Sequence, residues 1–281
     1  MLHLIFKPLS ILPLPILHAL GKALGIVLFF VAGKAKRRAA ENIAQSQLFT
    51  GTIEPVVKRN FIAMGKAILE TPYIWNSDDH CIDNLMQQVH GWDIIETAIQ
   101  SQQGIIFLTP HMGCFEITSL YYARQHPITV LYRPPKKKWL MPLVNGRKRP
   151  NITLAEANAN GVRKLFKALK KGEAVGILPD QIPASGEGEW ADFFGKPAYT
   201  MTLAGKLAEK TGAAIIMAFG ERLDNGQGYA LHLTKIDSIA TPTLLNQAIE
   251  KQIAQAPNQY YWNYHRYKVS RKSREKLADH T

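Results

Sequence analysis

Cysteine is nearly absent from the chain, which has Cys81 and Cys114 among 281 residues. The two lie far apart, and no group of histidines at metal-ligand spacing accompanies either of them. Neither a disulfide framework nor a structural zinc site is expected, and a reducing compartment fits better. Cys114 stands inside a polar motif, where a thiol nucleophile is one interpretation. A small apolar filler on a packed helix is the commoner role of a lone cysteine.

Acidic residues are scarce relative to basic ones. The chain has 22 aspartates and glutamates against 34 lysines and arginines, which gives a formal charge of +12. The excess collects in short runs at 34–38, 136–138, 147–149, 163–171 and 266–276. Such a surface favours anionic partners: phosphate-bearing lipid, an acidic protein or nucleic acid.

Charged residues are rare near the N-terminus. Residues 8–33 are strongly apolar, with Lys22 and His18 as interruptions, and the basic run 34–38 follows at once. The apolar stretch is long for a cleaved signal peptide and about long enough to cross a bilayer. Three prolines near its start leave open an anchor that embeds without crossing. The basic run after it is typical of the cytoplasmic side of a membrane.

No internal repeat and no long linker divides the rest of the chain. We therefore predict a membrane anchor with a basic flank over residues 1–38 and one domain over residues 39–281. Hydrophobic periodicity predicts strands at 104–110, 128–135, 174–181 and 213–223, a hairpin turn at 224–228, and helices at 55–70, 112–125, 137–149, 161–172, 200–212 and 243–256. Alternating strands and helices predict an α/β fold with a largely parallel central sheet flanked by helices.

One motif, FLTPHMGCFEITSL at 107–120, places His111 five residues before Glu116. On a straight helix the two side chains would point roughly 140° apart, since each residue turns the chain by about 100°. The pattern instead predicts a strand that ends at the proline and a helix that begins near Gly113. His111 would then lie in the turn, and Glu116 about one turn into the helix could reach back to it.

This placement suits a general base. Unpaired N–H groups at a helix N-terminus disfavour a protonated imidazole, and a carboxylate at the other ring nitrogen would fix its tautomer. The pair is a Ser-His-Asp relay without the serine, so the attacking hydroxyl would belong to the substrate. The alternative is that His111 caps the turn and Glu116 is a solvated helix residue.

Two more polar motifs follow the next predicted strands, YRPPKKK at 132–138 and PDQ at 179–181. Ligands bind at the carboxyl ends of strands in open α/β sheets, so Arg133 and Asp180 are expected beside His111 and Glu116. Arg133 can bind a phosphate in a bidentate way, with lysines 136–138 as outer support, or can be an exposed charge beside a turn. Asp180 can brace the pocket or form an Asx turn.

Several blocks in order resemble the late acyltransferases of lipid A biosynthesis, the lauroyl and myristoyl transferases of Gram-negative bacteria. They are RRAAENI, PHMGCFE, LYRPPKK, KALKKGEAVGILPDQ, FFGKPAYTMTLAGKLAEKTGAAII and QAPNQYYWNYHRYK. The resemblance implies a glycerophosphate-acyltransferase-like fold at the inner membrane, facing the cytoplasm. It also implies acyl carrier protein as acyl donor and a phosphorylated, partly acylated glucosamine disaccharide as acceptor.

The resemblance also assigns roles to residues. His111 and Glu116 match its catalytic pair, and the positions that we assign to substrate binding are Gly113, Tyr132, Arg133, Pro134, Arg163 and Asp180. This chain has PDQ where some members have PDH, so no role is assigned to Gln181. The reaction needs no cofactor and no metal. Trp190 and FFG at 193–195 could line an acyl groove or pack in the core.

Two other functions are compatible with these patterns. A related acyltransferase could use glycerol phosphate, an ornithine lipid or a mannosylated lipid as acceptor. A basic membrane-surface protein could instead bind nucleic acid or scaffold a complex. Aromatic residues are not interleaved with the basic runs, apart from YYWNYHRYK at 260–268, so no nucleic-acid partner is expected.

Overall fold

A computed structural model describes residues 9–135 and 149–268. The basic run 136–138 and most of the runs 147–149 and 266–276 lie outside the described residues, as does nearly all of the helix expected at 137–149. The described helices are α1 Leu14–Val31, α2 Gly33–Ser46, α3 Glu54–Asn76, α4 Asp79–Leu85, α5 Trp92–Gln100, α6 Phe115–Ala123, α7 Ala159–Lys170, α8 Leu203–Thr211 and α9 Pro242–Gln255.

The central sheet has seven strands within the described residues, in the order β1-β9-β8-β2-β5-β3-β4. Strands β8, β2, β5, β3 and β4 are parallel, whereas β9 is antiparallel to β8 and pairs in parallel with β1. Strands β6 and β7 form a separate antiparallel hairpin. The bounds are β1 Met86–His90, β2 Ile105–Leu108, β3 Ile128–Tyr132, β4 Ile152–Glu156, β5 Ala174–Ile177, β6 Gly188–Phe193, β7 Lys196–Met201, β8 Ala214–Arg222 and β9 Tyr229–Ile236.

Apolar side chains cover both faces of the sheet, because its inner strands are apolar on both sides. One core joins β2, β5 and β8 to the helices α2, α3, α7, α8 and α9, and includes Phe61, Leu165 and Ile249. The other lies under α5 and α6 and includes Ile95 and Ile117. The expected α/β fold with a mostly parallel, helix-flanked sheet is confirmed.

The N-terminal apolar segment forms α1, which packs along α3. Glycines allow the two backbones to touch: a Cβ atom on Gly65 would lie 2.2 Å from the carbonyl oxygen of Gly21 and 2.5 Å from the nitrogen of Gly25. Within the described residues, α1 is the helix with the length and apolar composition to cross a membrane, and a third of it is buried against the protein. One face of α1 is therefore part of the fold.

Candidate active site

The site lies where three adjacent parallel strands end. His111 follows β2, Asp180 and Gln181 follow β5, and Arg133 follows β3 directly. Because β2, β5 and β3 are neighbours, their three polar segments emerge at one edge of the sheet. The convergence expected for His111, Arg133 and Asp180 is what the topology produces.

Asp180 holds the imidazole of His111. Its Oδ1 lies 2.8 Å from the ring Nδ1, and its Oδ2 accepts a hydrogen bond of 3.0 Å from the backbone N–H of His111. The nitrogen of the Gln181 side-chain amide lies 3.1 Å from the ring Nε2. An ionised carboxylate only accepts, so Nδ1 carries the proton and Nε2 keeps a lone pair.

The electrostatics of Asp180 support the ionised form. The side chain is 2% exposed. Burial on its own would raise the pKa of this carboxyl, but the His111 ring and the two hydrogen bonds from His111 outweigh burial and hold the pKa below its usual range. Asp180 is thus a negative partner for the imidazolium that forms when Nε2 takes a proton.

Glu116 occupies a different position from the one expected. It lies in the first turn of α6 and is 8% exposed, lining a small cavity with Thr109 and Thr118. The carboxylate at Nδ1 is that of Asp180, which corrects the expectation that Glu116 holds the ring. The reason is local: the chain after β5 brings Asp180 beneath the turn, whereas Glu116 is directed toward β2 and β3 by the start of the helix.

The exposed side of His111 faces a cavity of about 770 Å³. Tyr132, Arg133 and Arg163 line it together with His111, so four of the residues expected from the sequence meet there. Other lining residues include Phe115, Leu131, Val162, Gln181, Met201 and Lys206. The wall is therefore apolar in part and carries cations around the His111 imidazole, a combination that suits a substrate with both acyl chains and negative groups.

Gly113 and Pro134 do not share this environment. Pro134 is exposed beyond the end of β3. Gly113 is buried with φ +56°, and a Cβ atom there would lie 2.1 Å from the carbonyl oxygen of Gly220. Only glycine fits such a close approach in the left-handed region. The geometry gives Gly113 a structural role in shaping the turn that carries His111.

A model of the bacterial lipid A biosynthesis acyltransferase family matches residues 2–269. This chain belongs to that family. A lipid A biosynthesis palmitoleoyltransferase of Escherichia coli K12 is 28% identical over 267 residues, covering 92% of this chain and 87% of the relative. A lauroyltransferase of the same organism is 28% identical over 272 residues with the same coverage. A Haemophilus influenzae lipid A biosynthesis acyltransferase is 26% identical over 283 residues, covering 94% and 88%.

The protein is accordingly an acyltransferase of lipid A biosynthesis. The thiol of Cys114 does not have the environment of a nucleophile. Cys114 is buried, and burial raises the pKa of its thiol well above the usual value. Phe193 is buried in the core, which favours core packing over an acyl groove for this part of FFG. Trp190 packs against Tyr199, with ring centroids 5.5 Å apart.

Residues 259–261 are hydrogen-bonded to the turn that carries His111, a role that the sequence did not predict. Gly113 donates its N–H to the carbonyl oxygen of Gln259 at 3.1 Å, and Tyr261 donates to the carbonyl oxygen of His111 at 3.0 Å. The side chain of Gln259 exchanges two hydrogen bonds of 3.0 Å with the backbone of Arg222. The polar and aromatic residues at 255–262 did not indicate this role, because the residues that they contact are distant in sequence.

A buried ionic cluster also supports the turn. The Arg222 guanidinium forms a bidentate pair with Glu70 and donates to the carbonyl oxygen of Gly113 at 3.0 Å. Glu70 also accepts from Tyr229 at 3.0 Å and contacts His18 of α1 at 2.8 Å. No clear signal of this cluster is visible in the sequence, because Arg222 is flanked by Glu221 and Asp224 and its partner Glu70 lies 152 residues away.

Proposed function

We propose that the protein transfers a fatty acyl chain from acyl carrier protein to a hydroxyl of a phosphorylated, partly acylated glucosamine disaccharide. Its relatives carry the names of enzymes that transfer lauroyl or palmitoleoyl groups in lipid A biosynthesis. The observation that carries the proposal is the His111–Asp180 pair at the wall of a large cavity that also presents arginines. A fold like that of the glycerophosphate acyltransferases is part of the same proposal.

In the reaction, Nε2 of His111 removes the proton of the acceptor hydroxyl as that oxygen attacks the thioester carbonyl carbon. The tetrahedral intermediate collapses with cleavage of the carbon–sulfur bond, and the imidazolium returns the proton to the departing thiolate. Asp180 stabilises the imidazolium between these two events. Positioned base catalysis contributes about 10²–10⁴-fold, so holding the two substrates together must supply much of the remainder.

Glu116 stays in the proposal as a second carboxylate that acts on His111 without touching the reacting atoms. Its small cavity shares Phe115 and Leu178 with the main one, so the carboxylate lies next to the reaction space. Negative charge in the first turn of a helix is favourable, and it offsets the effect of the helix N-terminus on a nearby imidazolium. Glu116 would then act on the charge of His111 through the local field.

Arg133, Arg163 and Lys206 are the groups proposed to bind the phosphates of the acceptor. All three line the cavity. Arg163 also donates a hydrogen bond to the Asn160 side chain at 3.0 Å. Guanidinium groups bind phosphate in a bidentate way, so they would fix the position of the sugar as well as its charge.

The outer face of α1 is proposed to lie in the bilayer. Its side chains Val27, Phe30 and Val31 are strongly exposed, and the exposed cations Lys34 and Arg37 follow directly. An apolar strip bordered by cations fits an anionic membrane surface. Because α1 is packed along α3, which carries charged residues, we propose that α1 embeds in the plane of the membrane with the catalytic domain on the cytoplasmic side.

The test is an acyl transfer assay with lauroyl acyl carrier protein and a tetra-acylated, phosphorylated disaccharide acceptor. His111→Ala and Glu116→Ala should each lose transfer while the proteins remain folded and membrane-bound. His80→Ala, an exposed histidine on α4, is the matched control and should be fully active. Transfer at the normal rate by His111→Ala would contradict the proposed base.

The acceptor is tested in cells. Mass spectrometry of lipid A from a deletion strain should show the loss of one secondary acyl chain. Unchanged lipid A together with altered glycerolipid, ornithine lipid or glycolipid would assign the protein to another acceptor.

A further inference from the structure

The structure assigns to Gln181 the stabilisation of the oxyanion that forms in acyl transfer. We propose that its side-chain amide donates a hydrogen bond to the former carbonyl oxygen of the thioester. This rests on the proposed acyl transfer. It adds a catalytic residue that neither the HxxxxE motif nor the sequence pattern around PDQ identifies.

Attack on a thioester places a full negative charge on one oxygen atom. The hydroxyl proton moves to Nε2 of His111, the new carbon–oxygen bond forms, and the carbonyl electron pair moves onto its oxygen. A donor fixed near that oxygen lowers the barrier because the charge is absent in the ground state. The donor must lie within a few ångströms of Nε2, since Nε2 contacts the attacking oxygen and that oxygen becomes bonded to the carbon that carries the oxyanion.

The backbone N–H groups of the turn are already used. His111 donates to Asp180 at 3.0 Å, Met112 to the carbonyl oxygen of Pro110 at 2.7 Å, and Cys114 to that of Gly220 at 2.8 Å. The N–H of Gly113 is taken by Gln259, as described above. Each of these donors is satisfied within the protein, so the turn itself does not provide an oxyanion hole from residues 111–114.

Gln181 has a donor at the required place. Its amide nitrogen is 3.1 Å from Nε2, and its side chain lines the cavity. Nε2 carries a lone pair when Nδ1 donates to Asp180, so the amide must present an N–H to it. In the free enzyme this N–H covers the base. An incoming hydroxyl displaces it, and the released amide then faces the atoms that react.

The arrangement also gives Nε2 a hydrogen-bond partner until the acceptor arrives. An N–H directed at Nε2 occupies the position that a proton would take. The same amide therefore has two partners in sequence, the lone pair of His111 in the free enzyme and the oxyanion in the transition state. The exchange needs only a rotation of the Gln181 side chain, since β2 and β5 are neighbours and bring His111 and Gln181 to the same edge of the sheet.

The experiment compares Gln181→Ala and Gln181→Glu with the unaltered enzyme in the acyl carrier protein assay. Removal of one oxyanion donor costs about 10²–10³-fold in kcat, so Gln181→Ala should lose activity in that range with little change in KM for either substrate. Gln181→Glu should lose at least as much, because an ionised carboxylate repels the oxyanion. Gln125→Ala, an exposed glutamine at the far end of α6, should be unchanged.

Two results would overturn the assignment. An unchanged kcat in Gln181→Ala would leave the first amides of α6 as the oxyanion donors. A raised KM with normal kcat would make Gln181 a substrate-binding residue only. His111→Ala is assayed alongside. Full activity in His111→Ala would mean that the proposed general base, and with it the proposed function, is wrong. Lost activity in His111→Ala together with an unchanged kcat in Gln181→Ala would mean that only the role of Gln181 is wrong.

Discussion

At the scale of single residues, the two nitrogens of His111 have different partners, and the difference decides which of them can accept a proton. Nδ1 lies 2.8 Å from a buried carboxylate, and Nε2 faces the cavity. The tautomer is therefore set by Asp180, whose lowered pKa keeps it ionised through the neutral range. A base so arranged is ready before the substrate binds.

We predict that Asp180→Asn lowers kcat by roughly 10³–10⁴-fold, because an amide at Nδ1 favours the wrong tautomer and cannot balance an imidazolium. The substitution keeps the size of the side chain, so the variant should still fold, with a lower unfolding temperature because the stabilising contribution of the ionised Asp180 is lost. Asp93→Asn, an exposed aspartate on α5, serves as the control. Steady-state kinetics with both substrates gives the answer, and normal kcat in Asp180→Asn would remove the pair from the mechanism.

The sequence predicted which residues lie at the site, but it did not predict correctly which of them contact each other. His111, Arg133 and Asp180 were expected at one sheet edge because strand ends are visible in the hydrophobic pattern. The carboxylate that holds the ring was assigned to Glu116, since only a near neighbour in sequence could be considered. Asp180 is 69 residues away from His111, and that contact depends on the pairing of β2 with β5.

At the scale of elements, the turn between β2 and α6 owes its shape to close backbone packing. Gly113 at φ +56° lies against Gly220 of β8 and the ring of Phe219. The carbonyl oxygen of Gly113 is held by Arg222 of the same strand. The turn is thus positioned from β8, on the side opposite to Asp180.

We predict that Gly113→Ala destabilises the protein and abolishes transfer. The new methyl group meets backbone at 2.1 Å, so the turn must move away from β8. Gly195→Ala is the matched control: it has φ +70° with nothing within 4 Å of a new Cβ atom, so only the left-handed backbone cost of about 1–2 kcal/mol applies. Chemical denaturation and the transfer assay measure both. Equal stabilities of the two variants would contradict the role of close packing.

The elements that the sequence missed are the polar ones. Apolar strands such as β2, β5 and β8 were identified from their buried runs. Strands β1 and β6, with sequences MQQVH and GEWADF, are partly exposed and resemble loops in composition. The last two residues of β7 overlap the start of the helix expected at 200–212, which in the structure begins at Leu203.

At the scale of the whole molecule, the ionic cluster of Glu70, Arg222 and His18 joins α3, β8 and α1. Burial alone would raise the pKa of Glu70, but Arg222 and His18 lower it from 4.5 to about 2. A carboxyl whose pKa is lower in the folded state stabilises the fold above its unfolded pKa. That contribution is lost as the pH falls through the folded value.

We therefore predict that the free energy of unfolding falls progressively between about pH 4.5 and pH 2, with Asp180 adding to the effect. Urea denaturation at a series of pH values measures it. In Glu70→Gln the dependence within this window should be weaker, because the titrating group is gone. An equally steep dependence in that variant would assign the effect to other carboxyls.

Membrane association should depend on a few exposed side chains of α1. Phe30 is 72% exposed and Val31 is 71% exposed. Full burial of such side chains contributes about 1.5–3 kcal/mol each, so replacing both by serine should reduce partition into anionic vesicles by at least about tenfold. Leu244→Ser, at an exposed leucine of α9, is the control. Vesicle flotation with unaltered binding by the double variant would contradict this orientation.

The hydrogen bonds that join Gly113 to Gln259 and Tyr261 to His111 have a consequence for the order of events during synthesis. Helix α1 precedes the other described helices in the chain, whereas the segment that completes the turn is translated after all nine strands described here. Because domains fold as their parts emerge, a nascent chain with the proposed membrane contact of α1 would be tethered before it is catalytically competent. Under the proposed function, acyl chains would then be consumed only by finished enzyme at its lipid substrate.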